Sequence, residues 1–169
     1  MSTESDEEFG QFMRGRWAAM VRLAYGLTGD MGHAEDVAQA AFARAYASWG
    51  RVRRTGDPDA YVRRIVINEN LRRFRKRRVT EHLAGVLPEP ETGAAAVQHA
   101  GPEERSVLID ALQALAPRQR AVVVLRYWLD MSEAETAAAL NCSAGTVKSQ
   151  AARALATLRK LTAVEGDVR

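Results

Sequence analysis

The sequence predicts an all-α protein of two small helical domains, a bundle and a helix-turn-helix, joined by a flexible linker. Three observations carry that prediction. Apolar residues recur at helical spacing in both halves of the chain, and no segment shows convincing two-residue alternation. Between the halves, residues 79–102 lose periodicity and hold three prolines and three glycines. The expected domains are therefore 1–78 and 103–162, separated by a linker at 79–102 and followed by a tail at 163–169.

In the first domain, Phe9, Phe12, Met13, Trp17, Met20, Leu23, Ala24 and Leu27 mark one helix, broken by the "TGD" at 28–30. Ala34, Val37, Ala38, Ala41, Phe42, Ala45, Tyr46 and Trp49 mark a second, ended by Gly50 and a basic loop, "RVRRTG". Asp57 before Pro58 supplies an N-cap and a first-turn proline for a third helix, which runs through Tyr61, Ile65, Leu71 and Phe74. Arg78 returns to the face of that stripe, so the helix is expected to end or leave the domain about there. Trp49, Tyr61 and Phe74 read as core residues. Helical patterning resumes over 103–115 and 117–128, then in a short helix from Ser132 and a last one from Ser143. "AVVVL" at 121–125 is β-branched, but Pro117 before it and its helical neighbours favour a buried helix.

Charge is unevenly distributed. The whole chain carries a formal +3, yet residues 51–78 hold eleven basic side chains against three acidic ones (Asp57, Asp59, Glu69), a local net of +8. Such a patch, including Arg63, Arg64, Arg72, Arg73 and Arg75, suits a polyanionic partner. The single Cys142 excludes an intramolecular disulfide, and with only three scattered histidines (His33, His82, His99) there is no metal-ligand spacing. No cofactor is expected. An acidic N-terminus, "MSTESDEEFG", is unlike a signal peptide, and no apolar run approaches the roughly 20 residues that span a bilayer. A soluble, cytoplasmic protein without membrane insertion is expected. Paired carboxylates, a nucleophile with its base, and a phosphate loop are all missing, so an enzyme is not expected.

The segment from Ser132 is the most specific. Ser132 and Glu135 are spaced for a capping box, "NCSAG" makes a tight turn, and Ser143 can cap the next helix. On that helix Val147, Ala151, Ala154, Leu155 and Leu158 share one face. Thr146, Ser149, Arg153 and Lys160 lie opposite, flanked by Lys148 and Gln150. The pattern alone fits two readings. One is a recognition helix in a major groove, where arginine or lysine reads guanine and glutamine reads adenine; the other is an ordinary surface helix of a bundle. Asn68 is equally open, as a base-reading amide or as a helix-surface amide without a role.

Both halves together resemble a known family. "APRQRAVVVLRYWLDMSEAETAAALNCSAGTVKSQAARALATLRK" resembles region 4 of the extracytoplasmic-function (ECF, group IV) sigma factors of bacterial RNA polymerase. "AEDVAQAAFARAYASW" and "DPDAYVRRIVINENLRRFRKRR" resemble that family's region 2, and the ending "GTVKSQAARALATLR" is most like an actinobacterial SigE-type subfamily. The resemblance implies a promoter-recognition subunit that binds core RNA polymerase through its β′ and β subunits, binds promoter DNA, and has an anti-sigma factor as a further partner. It places Asp36, Gln39 and Phe42 on the polymerase clamp helices and Asn68 in a pocket for a flipped base of the minus-10 element. It places Lys148, Ser149, Gln150 and Arg153 on the minus-35 element, with Thr146 beside them. Ala40 stands where many relatives carry glutamate, and Gln150 and Ala152 where many carry arginine and an aromatic. The preferred promoter sequence is thereby left open.

Overall fold

A computed structural model describes residues 2–83 and 107–166, all of whose regular elements are helices. The expected linker from 84 to 102, the first residues of the helix expected from 103, and the end of the tail lie outside the described residues. The chain divides into two compact units, Met1–Asn70 and Leu71–Arg169.

The first unit opens with α1, Thr3–Thr28. It starts well before Phe9 because the Ser2 side chain accepts from the Ser5 N–H, and Glu4 and Asp6 in the first turn complement the helix dipole. It stops at Gly29, whose φ of 69° is the left-handed conformation that glycine adopts without steric penalty. Asp30 then caps α2, Met31–Ala47, accepting from the His33 N–H at 2.8 Å. The small buried stripe of α2 (Ala34, Val37, Ala38, Ala41, Ala45) lets α1 approach along its length. Aromatic rings fill the wider end: Phe9 lies 5.2 Å from Trp49 and 6.4 Å from Phe42, and Phe12 5.1 Å from Trp49.

The expected basic loop begins differently. Trp49–Val52 forms a short helix, α3, because Trp49 and Val52 are both buried and pin that turn to the core. After Gly56, Asp57 accepts from the Ala60 N–H at 2.9 Å and opens α4, Pro58–Leu83. This is the cap and first-turn proline expected from sequence. Val62, Val66 and Ile67 seat the helix in the core. However, α4 does not stop at Arg78. Beyond Phe74 its residues through Thr80 are exposed, and with four good helix formers at 75–78 and no glycine or proline before Gly85 the helix continues after its packing has ended.

The second unit contains α5 (Val107–Gln113), α6 (Pro117–Val123), α7 (Glu133–Leu140) and α8 (Ala144–Gly166). The expected single helix at 117–128 widens at Val124–Trp128 into a π-helical turn, with the Leu129 N–H reaching back to the Val124 carbonyl. Residues 121–125 are all buried, which a single face of a regular surface helix could not achieve. Met131 returns to the core after Asp130 adopts a φ of 52°.

Arg120 is the unexpected core residue. It is only 7% exposed, and its guanidinium donates to the carbonyls of Leu112 (2.8 Å), Gln113 (3.1 Å) and Leu115 (3.0 Å). The segment "QALAP" lacks a C-cap glycine, so carbonyls left over at the end of α5 are satisfied by this cation, which also suits the negative end of the helix dipole.

Replacing Arg120 by Met should strand these buried acceptors and cost the second unit about 2–4 kcal/mol. Urea unfolding of the full chain checks this, and an unshifted transition would show that water replaces the guanidinium. Ser132→Ala, which removes the α7 capping box, should cost about 1 kcal/mol in the same measurement.

Candidate nucleic-acid interface

The helix-turn-helix of the second unit is built by side-chain caps at both of its starts. The Ser132 hydroxyl accepts from the Glu135 N–H at 3.1 Å, while the Glu135 carboxylate accepts from the Ser132 N–H at 2.7 Å. Asn141 closes α7 in the left-handed conformation (φ 51°, ψ 51°), and the Cys142 N–H donates to the Ala137 carbonyl at 3.0 Å. The Ser143 hydroxyl then accepts from the Thr146 N–H at 3.1 Å. Cys142 sits half-buried in this turn as a free thiol.

These caps fix the direction in which α8 leaves the turn. Val147, Ala151 and Ala154 are buried on it, whereas Lys148, Ser149 and Arg153 are exposed and Gln150 is half-buried. Thr146 is partly committed to the turn, its hydroxyl lying 2.9 Å from that of Ser143. Lys148 Nζ lies 3.6 Å from a carboxylate oxygen of Glu133 on α7. An exposed ion pair of that length is weak and leaves the ammonium able to meet a phosphate.

In the first unit, α2 presents Asp36 and Gln39 to solvent. Phe42 is a correction to the sequence reading. It is 2% exposed, and its ring lies between Phe9, Phe12 and Trp17. It therefore seats the helix from inside and offers no surface to a partner. Tyr46, expected on the apolar stripe of this helix, is 41% exposed instead, seven residues and about two turns beyond Gln39 on the same side of α2. Its hydroxyl donates to Asp6 at 3.0 Å, and that hydrogen bond to a carboxylate holds the phenol's pKa above its ordinary value.

On α4, Asn68 is exposed between buried Ile67 and buried Glu69. Arg64, Arg72 and Arg75 stand four residues before it and four and seven after it, all exposed, so the four side chains line one side of the helix. Arg73, also exposed, points to another side. Arg63 is only half-exposed and donates to Asp59 at 2.6 Å. Asp59 also meets Arg16 of α1 at 3.2 Å, so Arg63 belongs as much to the packing of α4 as to its outer surface. Tyr61 and Phe74 are half-buried, while Trp49 lies fully in the core. Glu69 is 4% exposed and pairs with Arg44 of α2 at 3.1 Å. As an isolated glutamate in a basic run it gave no sign of this in the sequence; only its position three residues after Val66 and seven after Val62, on the buried stripe, could have placed it.

Among the described residues no group of histidine, cysteine or acidic side chains could hold a metal ion, and no helix is long and apolar enough to cross a membrane. Residues 17–80 match Sigma-70 region 2, and residues 105–158 match Sigma-70, region 4. The chain is 45% identical over 163 residues to an RNA polymerase sigma-E factor of Streptomyces coelicolor, covering 96% of this chain and 90% of that one. It is 34% identical over 155 residues to the ECF RNA polymerase sigma factor SigM of Mycobacterium tuberculosis, covering 90% and 76%. The solved structure of the sigma factor RpoE in complex with the anti-sigma factor NepR from Bartonella quintana superposes with a TM-score of 0.72. The identity is 26%, and the match covers 94% of this chain and 98% of that one. With region 2 in its N-terminal half and region 4 in its C-terminal half, the chain belongs to the ECF group of RNA polymerase sigma factors.

Proposed function

We propose that this sigma factor divides promoter recognition among three helix faces. Asp36 and Gln39 on α2, with Tyr46 beside them, dock on core RNA polymerase through its β′ subunit, and the β subunit completes the contact with the chain. Asn68 on α4 takes a flipped base of the opened minus-10 element; Arg64, Arg72 and Arg75 on its side of the helix hold the phosphates around it, and Arg73 meets the backbone from another side. Lys148, Ser149, Gln150 and Arg153 on α8 read the minus-35 duplex, with Thr146 at the mouth of the turn. The chain carries out no catalysis itself; it works in the cytoplasm, where polymerase and promoter are.

One observation carries this reading: a single chain exposes two unlike nucleic-acid faces, each on a helix whose other side is fixed in a core. The α8 face offers a cation and short polar groups at the spacing of base edges in a major groove. The α4 face offers an amide, able to donate and accept, among arginines, which suits an unpaired strand better than a duplex. Two modest contacts on one chain reinforce each other through effective concentration. An anti-sigma factor that covers such faces would silence the chain, and the complex of RpoE with NepR supports a partner of that kind.

Co-purification with core polymerase and promoter-dependent run-off transcription test the reading as a whole; tight promoter binding without polymerase would overturn it. Neutralising Arg72, Arg73 and Arg75 together should reduce the log–log salt slope of promoter opening by about 2–3, because each lost phosphate contact removes about 0.7–0.9. An unchanged slope would place the phosphates elsewhere. Arg153→Ala should weaken minus-35 binding by about 1–3 kcal/mol while core binding, measured by holoenzyme assembly, stays the same.

A further inference from the structure

We propose that Thr80, near the end of α4, is a phosphorylation site for an arginine-directed serine/threonine kinase, and that its phosphate competes with promoter DNA for the basic residues of that helix. The site stands on its own observations; only the competition rests on the DNA-holding role proposed above for Arg72, Arg73 and Arg75. Thr80 follows "RKRRV", which puts Arg77 and Arg78 three and two residues before the hydroxyl and Lys76 four before it. A kinase with an acidic substrate cleft selects its target by such a charge pattern.

The fold makes that segment accessible. Arg75–Thr80 are six consecutive exposed residues, more than a full helical turn, so no side of this stretch is buried. Unwinding it into an extended substrate cleft breaks backbone hydrogen bonds but no buried contact, which puts it at the low-energy end of local opening. The Thr80 hydroxyl donates to the Lys76 carbonyl at 3.0 Å, an exposed bond that water can replace. Thr55 also follows two arginines and is exposed, but its hydroxyl donates to the carbonyl of fully buried Val52 at 2.7 Å, so its turn is held to the core. In the transfer, the Thr80 oxygen bonds to the γ-phosphorus of ATP and the bond from that phosphorus to the β–γ bridging oxygen breaks. ADP leaves, and the hydroxyl proton passes to the kinase's catalytic base. The phosphate carries about −1.5 to −2 charges at pH 7. Arg77, Lys76 and Arg73 lie three, four and seven residues before it on the same side of the helix, where it draws them away from a nucleic-acid strand.

The test treats the full chain with a purified kinase that selects arginine two and three residues before its target, with magnesium and ATP, and locates the phosphate by tandem mass spectrometry. Phosphate is expected on Thr80, absent from T80V, and about tenfold slower to form in R77Q/R78Q, which lacks the matching charges. No incorporation, or incorporation at Thr55 with Thr80 unmodified, would overturn the site. The competition is read from holoenzymes assembled with modified and unmodified chain. Their probe is a pre-opened bubble promoter, taken from DNA that the unmodified holoenzyme selects out of a pool randomised across both promoter elements, and binding is followed across a salt series. A charge near −2 that offsets two cations lowers the log–log salt slope by about 1.4–1.8 and leaves holoenzyme assembly unchanged. An unchanged slope would overturn the competition. R72Q/R73Q/R75Q separates the two levels: if it lowers the slope and the phosphate does not, only the competition fails. If neither lowers it, the DNA-holding role of these arginines fails and the competition with it.

Discussion

A helix that offers arginines to a polyanion must be held in place from its other side by something other than charge. On α4 that hold comes from Val62, Val66 and Ile67, and on α8 from Val147, Ala151 and Ala154, none of them more than 8% exposed. Small aliphatic side chains suit both helices, because they let a neighbouring helix approach closely and leave the opposite face free for long polar side chains. The aromatic cluster of the first unit serves the same end for α2. Phe42 and Trp49 fill the space under that helix, so its polar residues stand out without needing partners of their own element.

Much of this was legible in the sequence wherever the signal lies within a few adjacent residues. The Ser132–Glu135 box, the Asp57–Pro58 start, the break at "TGD" and the buried stripe of α8 are local patterns, and the structure forms them all. What the sequence concealed is non-local. Arg120 is one arginine among many until the carbonyls at the end of α5 surround it, and Glu69 is a stray acid until Arg44 arrives from another helix. Phe42 misled for the opposite reason. Its place in a motif suggested a surface contact, whereas three aromatic neighbours from α1 draw it inside. At the end of α4 the packing stops before the helix does: the helix expected to end or leave the domain near Arg78 runs on to Leu83. Propensity alone sustains helical geometry for a few turns past the last core residue, especially on a helix already nucleated by packing.

The ion pairs also redistribute the charge that composition reports. Counted along residues 51–78, the basic excess seems to begin at Arg51. In the folded unit Arg53 is bound to Glu8 at 2.8 Å and Arg63 to Asp59 at 2.6 Å, and Glu8 comes from α1, far outside that window. Arg16 and Arg44 are engaged in the same way by Asp59 and Glu69. Carboxylates thus engage cations that lie where helices meet, while further along α4 Arg72, Arg73 and Arg75 are exposed. On the proposed reading, a polyanion is drawn toward the stretch of α4 that follows Asn68. The acids that engage Arg16, Arg44, Arg53 and Arg63 would then help decide where on the helix such a strand comes to rest.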